Sequence, residues 1–417
     1  MKHLIPLILL VLLNTGLVVS EESWPVFHGP KGDNKSADEN LLKSWPENGP
    51  PLLWTADFLG FGYSGVTIAN GRIFITGNET QGQGDDVLSM LYCLDMEGKL
   101  LWKSENGSGW NDSRKYPSTR ATPTIDGKYV YDETPLGQVA CFEAETGKKI
   151  WTRNILEDFD AKNIQWALAE SVVIDGNNVI CCPGGEKASV AALDKLTGKT
   201  VWEAKPSGFP ASYATPYLFD FEGMHIAAVT TEGNLLGINA ENGEVLFAHP
   251  FANKLKINAT IPIYKEGTLF MTSGYGGGAY LIRLKKDGNV LAAEEIWAEK
   301  SFDNQHGGIV MVGDYVYGTT HNGRWGSIKF TDGTIGYMER GIGKGSIHYA
   351  DGLLYGLSEN GRKAALIEPT PEKYTQISEF VLPNEAEGPT WAHPVVCGGK
   401  LYIRHAQYLY CFDVRQK

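Results

Sequence analysis

Arg120, Trp166 and Glu170 offer a planar guanidinium, a flat indole and a carboxylate, side-chain types that together can hold an anionic or sugar-like ligand. Tyr213, Asn258, His306, Lys344, Trp391 and His393 stand at comparable places further along the chain, and Tyr63 stands at the head of the series. Each precedes or opens a short β-type segment. A fold that aims the starts of those segments at one point would make a polar and aromatic funnel, the kind of concave surface that takes ligands. A channel mouth is also polar simply because water fills it, and that reading stands beside the first.

No catalytic or metal-ligating set accompanies these residues. The nine His fall in no zinc pattern such as H-E-x-x-H, and no G-x-S-x-G elbow occurs. "SGYGGGAY" (273–280) shares only composition with a dinucleotide fingerprint, since it lies in a hairpin and precedes no helix, and "GIGKGS" (341–346) lacks phosphate-loop spacing. Cys93, Cys141 and Cys411 sit at matching positions in separate repeats and read as small buried residues. Cys181 and Cys182 are neighbours at the end of a strand, where adjacent side chains point to opposite faces. A bond between them needs a distorted backbone, so a vicinal disulfide is the less favoured alternative even in an oxidising compartment.

The elements that would position the funnel are written in a repeat. "CLDMEGKLLW" (93–102), "CFEAETGKKIW" (141–151) and "ALDKLTGKTVW" (192–202) restate one phrase. A turn marker recurs eight times, at Asn70-Gly71, Asp126-Gly127, Asp175-Gly176, Glu222-Gly223, Glu266-Gly267, Gly313-Asp314, Asp351-Gly352 and Gly398-Gly399. The spacing of roughly 47 residues, filled with alternating apolar positions and no helical period, predicts four short strands per repeat. The fold class is therefore all-β: an eight-bladed β-propeller of four-stranded antiparallel blades. The last repeat stops before its fourth strand, whereas "PPLLWTAD" (50–57) is a Trp strand with no blade before it. An N-terminal strand joining the last blade would close the ring and leave no sheet edge to template aggregation.

The phrase itself reads as structure. Gly98, Gly147, Gly198, Gly243, Gly288 and Gly333 fall where the third hairpin needs a positive φ. Four residues later in most repeats come Trp102, Trp151, Trp202, Phe247 and Tyr337, large flat side chains suited to the wedge between blades, with Trp54 as their counterpart in the closing strand.

The pattern A-x-D-x-x-T-G-K-x-x-W resembles the tryptophan-docking repeat of the pyrroloquinoline quinone (PQQ) propeller superfamily. "WPVFHGPKGDNKS" (24–36) is similar to the opening of exported PQQ-like repeat proteins of planctomycete-type bacteria. The superfamily holds quinoprotein alcohol dehydrogenases and a non-enzymatic scaffold of outer-membrane protein assembly, so the resemblance implies one of two functions. A dehydrogenase would need a floor aromatic, a calcium held by carboxylate and amide, and an Asp base. Trp166, Glu170 and Asn258 could be imagined in such roles, but the family's metal and base motifs are not recognisable and no haem-attaching CxxCH is present, so PQQ and calcium lack motif support. The resemblance also implies a vicinal disulfide over the quinone, for which only Cys181 and Cys182 are adjacent. The expectation is an exported binding or scaffolding propeller that takes a small molecule, glycan or protein partner at its channel mouth, with a quinone-dependent dehydrogenase as the alternative.

Residues 1–20 combine Lys2, an apolar run and the small residues Val18 and Ser20, which predicts a signal peptide. The single domain would then span 21–417, in the periplasm or outside the cell, as a monomer with no lipid-bearing Cys at the cleavage point and no later stretch apolar enough to cross a membrane. A net charge of −12 argues against nucleic acid as a partner. Five N-x-S/T sites, Asn78 and Asn111 among them, matter only in a host that glycosylates.

Overall fold

Short strands separated by Gly turns stack here as blades, so the middle strands are buried on both faces and the outermost ones stay partly exposed. The computed structural model describes residues 23–80, 87–111, 116–288 and 290–416, and the signal-peptide segment 1–20 lies outside them. Among the described residues the strands form eight four-stranded antiparallel sheets. Blade 1 runs through Thr67–Ala69, Arg72–Thr80, Val87–Asp95 and Leu100–Ser108. The first strands of blades 2 to 8 begin at Thr124, Val173, Tyr217, Ile263, Ile309, Gly345 and Val395. All eight turn markers join the first strand of a blade to its second. These first strands face the axis, and those of blades 1 to 3 and of blades 6 to 8 touch their neighbours. The core is correspondingly divided into apolar layers, each packed between two blades.

The ring closes through its two ends. Leu52–Ala56 is the outermost strand of blade 8, with Trp54 opposite Cys411 and Thr55 opposite Tyr410.

The wedge residues make a relay from blade to blade. The indole N–H of Trp54 donates to the Met96 carbonyl of blade 1 at 3.0 Å, Trp102 to Ala144 of blade 2 at 3.2 Å, Trp151 to Lys195 of blade 3 at 2.9 Å, and Trp202 to Ala240 of blade 4 at 2.9 Å. Each ring lies on the turn glycine of the next blade. A Cβ on Gly147 would stand 2.5 Å from the Trp102 ring, and one on Gly198 would stand 2.8 Å from the ring of Trp151. At Gly147 the backbone φ of 72° independently favours glycine. Phe247 makes no such dock: it lies over Gly237 of its own blade, and among the described residues beyond its chain neighbours no atom stands within 4 Å of a Cβ built on Gly288. In blade 5 the third hairpin is longer, pairing Gly278–Asp287 with Val290–Glu299, and this carries the docking indole to Trp297, which donates to Phe330 at 3.2 Å.

Residues 24–36 occupy the channel. Trp24 exchanges backbone hydrogen bonds with Ile68 of blade 1, the Pro25 carbonyl accepts from Ile125 of blade 2, and Ser36 donates to Tyr349 of blade 7. Leu41 and Trp45 then pack under blades 7 and 8 before the closing strand begins. Four of the five N-x-S/T asparagines, Asn34, Asn78, Asn106 and Asn258, are buried, so of the five only Asn111 presents its side chain outward.

Candidate functional site

The segments that enter the first strands bring their side chains to one end of the channel, where they enclose a cavity of about 350 Å³. Tyr63, Arg120, Trp166, Tyr213, His306, Lys344, Trp391 and His393 line it. Backbone N–H to hydroxyl bonds stitch the first four blades together at this level: Gly65 to Thr122, Thr122 to Ser171 and Ser171 to Thr215, at 3.0, 2.9 and 2.9 Å.

Glu170 and Asn258 do not line the cavity, which corrects the expectation for both. Side chains alternate along an extended segment, and both residues are one place out of phase. Arg120 and Thr122 face the channel, so Ala121 does not; in blade 3 the channel-facing pair is Ala169 and Ser171, with Glu170 between them. Glu170 instead accepts the Cys182 N–H at 2.5 Å beside Glu133, and burial pushes its pKa up to about 7. Burial and the neighbouring Glu170 hold the Glu133 carboxyl well above its usual range. Asn258 donates to the Thr231 and Phe251 carbonyls and accepts from Ser273, which ties the entry to blade 5 to the edge of blade 4.

One wall is aromatic. Tyr116 joins two tryptophans, with ring centroids 5.8 Å from Trp166 and 5.0 Å from Trp391, and Tyr63 lies 4.7 Å from Trp391. The Arg120 guanidinium stands 5.8 Å over Tyr63 and is held by the Tyr116 carbonyl at 2.7 Å. Burial raises the Tyr63 and Tyr213 hydroxyls to about 12, so both stay neutral donors.

The opposite wall is a polar network. Lys344 pairs with Glu359 at 3.2 Å, and the same Glu359 oxygen accepts the Trp391 indole N–H at 2.7 Å. Gln305 donates to Tyr275 at 2.7 Å and accepts from His321 at 3.0 Å and from Lys344. The floor is Phe27 of the N-terminal segment with two histidines. His393 donates from Nε2 to the His306 carbonyl at 2.9 Å, so its Nδ1 must accept, and His28 Nε2 donates to it at 3.0 Å. Burial lowers the His393 pKa to about 4 and that of His28 well below 6.5, keeping this floor uncharged. Both ring nitrogens of His306 are buried with no hydrogen-bond partner among the described residues, and burial lowers its pKa as well.

Gln305, like Tyr116 and Gln165, belongs to the segments leading into first strands. Tyr275, His321 and Glu359, by contrast, come from the hairpins between second and third strands, which open on the same end of the ring. Scanning residues just after each second strand would have found these three.

The donors for a calcium-bound quinone are not gathered here. Glu359 is the carboxylate among the cavity's lining residues and is engaged by Lys344 and Trp391, while Glu170 and Asn258 are turned away. Cys181 and Cys182 are free thiols that point into different interblade layers, between blades 2 and 3 and between blades 3 and 4, so neither covers the cavity. Among the described residues no cluster of three or more His, Cys, Asp or Glu could hold a metal ion, and no helix is long and apolar enough to cross a membrane.

A family model described as outer membrane protein assembly factor BamB matches residues 38–183 and 89–336. The chain is similar to the BamB of Yersinia pestis, 26% identical over 306 residues that cover 68% of this chain and 72% of that one. It is also similar to the quinoprotein alcohol dehydrogenase PedH of Pseudomonas putida, 27% identical over 214 residues, half of this chain but 34% of the enzyme. Among solved structures, BamB from Moraxella catarrhalis superposes with a TM-score of 0.58 at 11% identity, covering 88% of this chain and 98% of that one, which establishes a shared fold.

Proposed function

From the premise that the chain belongs to the PQQ-like repeat family described as outer membrane protein assembly factor BamB, we propose that it is an exported binding propeller whose channel-mouth cavity takes a sugar-like or anionic small ligand. The observation that carries the reading is the cavity itself: Trp166, Tyr116, Trp391 and Tyr63 form a continuous aromatic wall facing the polar network of Lys344, Gln305 and His321. Aromatic faces take the apolar faces of pyranose rings, while hydrogen-bonding groups opposite them read the hydroxyls. Arg120 supplies a planar fork for an anionic substituent. A periplasmic location is supported by similarity to proteins named for outer-membrane assembly, and the narrower likeness to exported planctomycete-type proteins rests on residues 24–36.

The test is calorimetric titration of the purified protein with a panel of neutral and acidic oligosaccharides, repeated on Trp391→Ala. At least one sugar should bind, and the variant should weaken it about tenfold or more, the order expected from losing an aromatic contact. Failure of every sugar, or equal binding by the variant, would contradict the reading. The similarity to PedH keeps one rival: uptake of one PQQ per chain with calcium, together with dye reduction by alcohols, would replace the binding role by a dehydrogenase.

A further inference from the structure

A second space adjoins the cavity. A groove of about 750 Å³ between blades 6 and 7 shares His321, Lys344 and Glu359 with it. Arg324, Arg340 and the backbone of Gly323 and Gly343 complete the groove. Against the single carboxylate of Glu359 it presents Lys344 and two arginines, a local excess of positive charge on a chain whose net charge is −12.

Trp325 pairs with Glu339 across the last hairpin of blade 6, and Arg324 and Arg340 are the next residues beyond that pair. Both are exposed, and neither forms an ion pair with a described residue. The neighbouring carboxylates are otherwise engaged. Asp303 accepts the His321 and Gly276 N–H groups, and Glu339 accepts that of Tyr374. Burial, and then Lys344, lower the His321 pKa, so His321 adds a neutral hydrogen-bonding edge.

We propose that the groove is an anion subsite: it receives the carboxylate- or sulfate-bearing unit of an acidic glycan whose neighbouring ring lies against the aromatic wall of the cavity. The inference rests on the sugar-binding reading above and adds the ligand's charge and the direction in which its chain leaves. Two guanidinium groups that line one groove can each offer a two-pronged donor to an oxyanion.

Calorimetric titration with a galacturonate oligosaccharide, its methyl-esterified neutral form and a sulfated galactose oligosaccharide tests this, using wild type and the double variant Arg324→Gln/Arg340→Gln. One of the acidic sugars should bind wild type about ten- to hundredfold tighter than the neutral ester. That gap should close in the double variant, whose affinity for the ester and whose melting point should not fall. The acidic sugar with the larger gap identifies the group received. If the ester binds but the gap is missing or survives the double substitution, the subsite is overturned and the cavity reading stands. If no sugar binds wild type, both fall together.

Discussion

Which side of a strand a residue occupies decides its role here. Glu170 has the right chemistry and the right segment for the cavity, and misses it by one position in the alternation. From sequence, the entry segments could be located by their turn markers, but their phase depends on where each backbone becomes extended, and no marker fixes that. Glu170 is consequently part of a buried carboxyl pair with Glu133, both held toward the protonated form chiefly by burial. An acid whose folded pKa is raised takes up protons on folding. Its stabilising share is therefore full below the unfolded value near 4.5 and is lost as pH rises through about 7. Glu170→Gln keeps the acceptor for the Cys182 N–H and removes the charge. It should raise the melting temperature by a few degrees at pH 8 and by little at pH 5, measured by calorimetry. An equal effect at both values would mean that burial does not raise the Glu170 pKa.

At the scale of elements, the repeated phrase encodes a contact between blades. Its glycine and its tryptophan serve different partners: the Gly of one blade receives the indole of the blade before it. The recurrence was legible because four successive blades receive the same contact from the blade before them. Trp297 was hidden because a longer hairpin shifts it out of the four-residue spacing. Residues 24–36 were legible only as a non-repeating opening, since the bonds that hold them in the channel come from four distant segments and leave no periodic trace. Trp202 is 7% exposed, bonded to Ala240 and packed in the layer between blades 3 and 4. Trp202→Ala should cost about 3 to 5 kcal/mol by denaturant unfolding, and a midpoint unchanged at constant slope would contradict the docking role.

For the whole molecule, eight blades and a closing strand account for most of the chain, and this level was the most legible because closure follows from counting strands at the two ends. The same ring has a concave surface at the channel mouth and an apolar one along the outer strands, where Leu100, Leu101, Ile150 and Val201 are exposed. A sugar-binding propeller uses the first, and a scaffold working by strand addition would use the second. Hydrogen exchange separates them directly, with and without a saturating acidic oligosaccharide. Binding at the channel mouth predicts slowed exchange at 116–122, 165–171, 213–215 and 391–393, with the outer strands unchanged. Protection confined to the outer strands, or none in those four segments while the sugar is bound, would contradict it.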